Sequence, residues 1–152
     1  MTHLPSRRAA TALLAVLLPG LVLAGCGDDS EGSSPTTTAS SGPATTVDIP
    51  ADKVVDLTAQ STVEITVRDN TFEPSYFEVK PGTKILFRND GRNQHNVTPV
   101  EDGRFDPIET AEFAPGKVGA ITVDGSGDIP FYCTIHGTKK LNGQSGVIRI
   151  AT

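Results

Sequence analysis

Soft and imidazole side chains are scarce in this chain of 152 residues: it has two cysteines, three histidines and one methionine. The methionine is Met1, so no thioether is available to a folded domain downstream. Basic residues are also in deficit, 13 Lys and Arg against 18 Asp and Glu, for a formal net charge of −5. A nucleic-acid-binding face needs a basic excess, so nucleic acid is excluded as a partner. Long apolar runs are missing but for one, residues 9–23, which is broken by Thr11 and by Pro19-Gly20. That run is too short and too lightly flanked for a permanent membrane span. There is no internal repeat, and no spacing of Asp and Glu marks a calcium site or a catalytic carboxylate pair.

The apolar run reads instead as an export leader. Arg7 and Arg8 supply its positive start, and Leu23-Ala24-Gly25-Cys26 resembles the lipobox of bacterial lipoproteins. That resemblance implies that residues 1–25 are a signal peptide and that Cys26 carries a diacylglycerol and becomes the mature N-terminus. Two or more acyl chains anchor stably where one is marginal, which would hold the protein at the outer face of the cytoplasmic membrane. Ser6-Arg7-Arg8 matches a twin-arginine signal only in part, since Ala9 and Ala10 follow it. Loss of Arg7 and Arg8 leaves 11 basic and 18 acidic residues, a net charge of −7. His3 leaves with the leader, and lipidation of Cys26 leaves Cys133 as the sole thiol, so no internal disulfide can form.

Residues 26–53 are rich in Ser, Thr, Gly and Pro and poor in aliphatic side chains, and such a stretch cannot bury enough surface to order itself. As a flexible tether, its roughly 22 loose residues reach about 25 Å. Residues 54–152 then form one domain of ordinary size. Val63, Ile65 and Val67 alternate with polar neighbours, as in a half-buried strand. Phe77 and Val79 continue that pattern into Pro81-Gly82, a type II turn, and Ile85 and Phe87 mark the next strand. His95 with Val97, Ile121 with Val123, Phe131 with Cys133, and residues 147–151 extend the series, while residues 105–113 read as a loop with one helical turn. Short strands between recurring Asn-Gly, Asp-Gly and Pro-Gly signals predict an all-β sandwich.

Within this domain the remaining soft ligands form one pattern. Cys133 and His136 close the segment Phe131-Tyr132-Cys133-Thr134-Ile135-His136-Gly137, and His95 stands 38 residues upstream. One thiolate and two imidazoles are the donor set of a trigonal His2Cys copper site. A Cys-x-x-His turn lets both of its ligands converge on one ion, and the sheet must bring His95 across to them. The expected placement has His95 on the strand after the 89–94 loop, Cys133 at the end of a 129–133 strand, and His136 in the loop beyond. A lone thiol with a histidine three residues on is better explained by metal ligation than by inert burial.

The chain resembles the cupredoxins, the blue-copper family that includes plastocyanin, pseudoazurin and halocyanin. The resemblance covers about residues 62–150. It is carried by Phe72-x-Pro74, Phe77-x-Val79-x-Pro81-Gly82, Phe87-x-Asn89, His95-Asn96-Val97, Pro115-Gly116, the Phe131–Gly137 segment above and Gly143-x-x-Gly146-x-Ile148. It implies a two-sheet Greek-key β-sandwich with one copper ion at one pole, held by His95, Cys133 and His136. Many relatives place a methionine in Gly-Met-x-Gly as the axial ligand, whereas this chain reads Gly143-Gln144-Ser145-Gly146. Gln144, through its side-chain oxygen, is the first choice for the axial position, and Leu141, which offers no donor, is the second. Asn96 is a choice for bracing the ligand loops, with a plain turn residue as the alternative.

Together with the lipobox, the resemblance implies a non-enzymatic, monomeric, membrane-tethered carrier of single electrons between redox protein partners, exchanging them through the edge of His136 beside Ile135 and Leu141. The alternative is copper binding and delivery without sustained redox cycling, against which the lack of thioethers counts. Catalysis by a Cys133–His136 pair lacks an evident third, orienting group. Multicopper oxidase chemistry needs more than three histidines, and the dinuclear copper centre of cytochrome oxidase needs a second cysteine.

Overall fold

A computed structural model describes residues 46–152. The expected signal peptide, the lipidated Cys26 and the linker up to residue 45 lie outside the described residues. From there the chain already engages the domain: the Val47 N–H donates to a carboxylate oxygen of Asp128 at 2.8 Å, and Asp128 is also gripped by Arg149. One 3-10 turn, Ala51–Lys53, precedes the strands.

Among the described residues, nine strands form two mixed sheets. One sheet runs β1 (Val55–Asp56), β4 (Tyr76–Val79), β9 (Gly143–Ile150), β8 (Gly127–Gly137) and β6 (Thr98–Pro99); the other runs β3 (Thr71–Glu73), β2 (Thr62–Arg68), β5 (Thr83–Asn89) and β7 (Val118–Val123). Pairing is parallel for β1/β4, β4/β9 and β2/β5, and antiparallel elsewhere. Among the described residues the only helical turns are 3-10, the second being Thr110–Glu112 within the 105–113 loop. The fold is the expected all-β sandwich. Gly82 takes φ +80° in the Pro81-Gly82 turn.

The alternation in β2 buries Val63, Ile65 and Val67, and β5 does the same with Ile85, Phe87 and Asn89. The two sheets meet through aromatic rings packed edge to face: Phe72 and Phe87 from one sheet lie 4.9 Å and 5.6 Å from Phe131 of the other, which also contacts Phe77. Such geometry suits the ring quadrupoles and adds to the area they bury. Residues 128–133 of β8 are all buried, because β9 and β6 flank the strand and the facing sheet covers it.

Gly146 shows how closely this core is filled. A Cβ there would lie 2.5 Å from both the Phe131 ring and the Ser75 carbonyl oxygen. Gly146→Ala should therefore destabilise the domain by about 1–3 kcal/mol, read as a lower midpoint in a denaturant titration.

Three local expectations need correction. His95 is not on a strand: it and Asn96 are irregular backbone, and only Val97 pairs, through an isolated bridge to Ile108. Cys133 does not end its strand, and His136 is not in a loop beyond it. Instead β8 runs on to Gly137, with an irregularity in its pairing to β9 between Tyr132 and Gly137. The last strand begins at Gly143, not Val147. The cause of the last two lies in Gly137 and Gly143, which face each other so closely that a Cβ on either would strike the opposing backbone within 2.4 Å. Two glycines allow a pairing that local propensity gives no sign of.

Candidate metal centre

The ends of β2, β5 and β8 and the start of β9 meet at one pole of the sandwich, and the loops there are cross-braced. Asn89, fully buried at the end of β5, donates through Nδ2 to the carbonyls of Asn93 and Phe113 and accepts from the Gly91 N–H. The same Phe113 carbonyl accepts the His95 N–H at 3.4 Å. Asn89 thus fixes both ends of the 89–94 loop and delivers His95 into the interior, where it is 0 % exposed.

Asn96 ties the next segment to β8. Its Oδ1 accepts the Thr134 N–H at 2.8 Å, and its Nδ2 donates to the Thr134 hydroxyl at 2.6 Å and to Thr110 at 3.2 Å. The residue after His95 is therefore clamped to the residue after Cys133.

Held in this way, three donor groups converge. The Cys133 Sγ lies 3.6 Å from His136 Nδ1 and 3.9 Å from His95 Nδ1, and a donor atom from each of the three residues lies within 4.8 Å of the others. Metal bonds of about 2.0 Å to nitrogen and 2.3 Å to sulfur, arranged trigonally, would put such N and S atoms about 3.7 Å apart. The two observed spacings bracket that value. Cys133 is a free, fully buried thiol, and His136 is half-buried.

Gln144 completes the cluster from the β9 side. It is fully buried, and its Oε1 faces His95 Nδ1 at 2.9 Å. The orientation of this amide is fixed by its other end, since Nε2 donates to the carbonyls of Arg68 and Thr71. Leu141 brings no polar atom to the cluster. It holds φ +60° in the turn closed by its N–H to the Thr138 carbonyl.

Two imidazoles, a thiol and an amide oxygen directed at one point are four electron-pair donors with few protons to share, an arrangement that a soft cation satisfies. Burial, and next the neighbouring His136, push the His95 pKa below its ordinary value, which favours the neutral, metal-ready ring. Copper is the cofactor that this donor set and the chain's relatives have in common.

The structure also brings in residues that sequence reasoning missed: Asn89 as a loop brace, the carbonyls of Arg68 and Thr71, and Asp69. The Asp69 carboxylate accepts the N–H groups of Arg92 and Asn93 and pairs with the Arg92 side chain. These bonds, the Arg92 N–H first, hold its pKa below the usual carboxylate value. Asn89 was visible only as part of a motif, and Asp69 carries no signal of its own in the sequence.

Comparison with known proteins agrees with this geometry. A family model described as a cupredoxin-like domain matches residues 37–144. Plastocyanin from Vicia faba is 32% identical over 82 residues, which are 48% of this chain and 83% of that protein. Plastocyanin from Lactuca sativa is 35% identical over 74 residues, 43% of this chain and 75% of that one. Among solved structures, a copper-containing nitrite reductase from Thermus scotoductus aligns with a TM-score of 0.53 at 20% identity, over 66% of this chain and 28% of the reductase. This chain spans just over a quarter of the reductase, so the likeness is one of fold. With sandwich, donor cluster and family model in accord, the chain belongs to the cupredoxin-like family and to its copper electron-transfer class, which includes plastocyanin.

Proposed function

We propose that this protein is a membrane-tethered carrier of single electrons, working outside the cytoplasmic membrane with one copper ion held by His95, Cys133 and His136 and by Gln144 as axial ligand. The observation that carries the reading is the convergence of those four side chains at one braced pole. Bound there, copper supplies a one-electron Cu(II)/Cu(I) couple.

The chain's own residues do the rest. An electron carrier works best when its ligands scarcely move between oxidation states, and rigid support from packing and outer hydrogen bonds provides that. The Asn96–Thr134 clamp, the Asn89 brace and the Gln144 links to Arg68 and Thr71 are supports of this kind. Of the three proposed equatorial ligands, His95 and Cys133 are sealed from solvent, and His136 alone is partly open. Electrons then enter and leave through the His136 ring edge. Beside it Ile135 is 51% exposed, an apolar contact for redox partners. The reading is non-enzymatic.

Cys26 with its acyl chains is the anchor and the stretch between it and the domain the lead, which together keep the monomer near membrane-associated partners at raised effective concentration. No helix among the described residues is long and apolar enough to cross a membrane.

Copper delivery is the competing reading, and protein-film voltammetry separates the two. A carrier should give a reversible one-electron wave that persists over repeated cycles. Loss of the wave as copper leaves the reduced protein would favour delivery.

A further inference from the structure

The outer ring nitrogen of His95 has a neighbour that the copper reading does not use. His95 Nε2 is, among the described residues, the one buried side-chain nitrogen or oxygen without a hydrogen-bond partner. Asp69 Oδ1 lies 3.8 Å from it. That carboxylate is held from behind by the Arg92 and Asn93 N–H groups at 2.7 and 3.2 Å and by Arg92 Nε at 3.0 Å. The gap is kept clear by Gly91: a Cβ there would fall 2.6 Å from Asp69 Oδ1 and 3.1 Å from His95 Nε2. A glycine whose added Cβ would crowd both groups, a fixed carboxylate and an orphaned ring nitrogen thus meet at one point, with Asp69 and His95 26 residues apart in sequence.

We propose that Asp69 is a positioning residue for the metal centre, acting through His95: its carboxylate attracts the Nε2–H, fixes which ring nitrogen faces the metal, and makes that imidazole a stronger donor. The inference rests on the copper reading above. An imidazole whose second nitrogen faces a carboxylate has its tautomer set and its basicity raised. With Nε2 carrying the proton, Nδ1 keeps its lone pair for an ion seated between it, Cys133 Sγ and Gln144 Oε1. Without an ion the 2.9 Å contact to Oε1 places the proton on Nδ1 instead, so the carboxylate and the metal act together to set the tautomer. A negative charge beside a ligand ring also favours the more positive oxidation state of the ion. Asp69 therefore lowers the potential of the centre, in the same direction as an oxygen donor from Gln144.

The test uses the copper-loaded full chain and two readouts, the reduction potential and, in the diamagnetic Cu(I) form, the NMR resonance of His95 Nε2–H. Asp69→Asn keeps an oxygen that can accept from Arg92 and Asn93 while removing the charge. It should shift the equilibrium about tenfold toward Cu(I), a rise of about 59 mV, and move the Nε2–H resonance upfield. Asp124→Asn, the same change in the turn between β7 and β8 at the opposite pole, should do neither. Arg92→Gln retains the carboxylate and removes its counter-charge, so it should lower the potential, and it carries the test if Asp69→Asn does not fold. Potentials that stay put in both variants, or a resonance indifferent to Asp69→Asn, overturn the inference. The thiolate-to-copper band of the unsubstituted chain distinguishes the levels. If the band is present and the potential unmoved, only the role of Asp69 falls; if the band is absent, the copper reading and this inference fall together.

Discussion

Cys133→Ser should abolish the intense visible thiolate-to-copper charge-transfer band of the copper-loaded domain and weaken copper binding severely. The thiolate is the softest of the converging donors, and it faces both imidazole nitrogens, at 3.6 and 3.9 Å. A serine hydroxyl is nearly the same shape but a hard donor that stays protonated, so the cavity remains and the electronic coupling goes. Cys133 is fully buried beside Phe131 and Ile129, and the swap puts a hydroxyl where a weakly polar thiol sat. Thermal melts of the metal-free proteins should therefore differ modestly, while absorption spectra after copper addition should differ entirely. A variant that keeps the band would remove Cys133 from the coordination sphere.

Gln144→Met should have two effects that separate its proposed roles. As an axial oxygen donor, Gln144 stabilises Cu(II) more than Cu(I). If that oxygen interacts with the ion as strongly as a charge-assisted hydrogen bond, about 1.5–3 kcal/mol, its replacement by a thioether should raise the potential by about 65–130 mV. The same substitution deletes the Nε2 donor that serves the carbonyls of Arg68 and Thr71. Two lost hydrogen bonds cost about 1–3 kcal/mol together, so the domain should also melt earlier. Voltammetry and calorimetry on one variant thus read the two roles apart. A lower melting temperature with an unchanged potential would make Gln144 a cross-brace between β9 and the β2–β3 hairpin and nothing more.

Much of this was legible in the sequence because the patterns were local or chemical. Period-2 alternation at Val63, Ile65 and Val67 and at Ile85 and Phe87 named the strands that bury those side chains. Scarcity did the rest, since only three ligating side chains of the right softness lay within the domain. What escaped depends on contacts between distant segments. The two-residue edge strand β1 and the three-residue β3 carry too few residues to show a period. The run of β8 through Cys133 to Gly137 depends on the close meeting of Gly137 and Gly143, which no local preference encodes. His95 sits on irregular backbone because Asn89 and the Phe113 carbonyl shape the loop before it, and those hydrogen bonds span up to 24 residues. Asp69 was silent for the same reason: only the fold sets it against His95.

One copper ion is proposed to sit among His95 Nδ1, Cys133 Sγ and His136 Nδ1. The most direct test is a crystal structure of the copper-loaded protein with anomalous data collected at the copper edge. One anomalous peak per chain is expected, within bonding distance of all three atoms and with Gln144 Oε1 as the nearest further donor. A peak elsewhere on the surface, or one at this pole with Cys133 Sγ unbound, would contradict it.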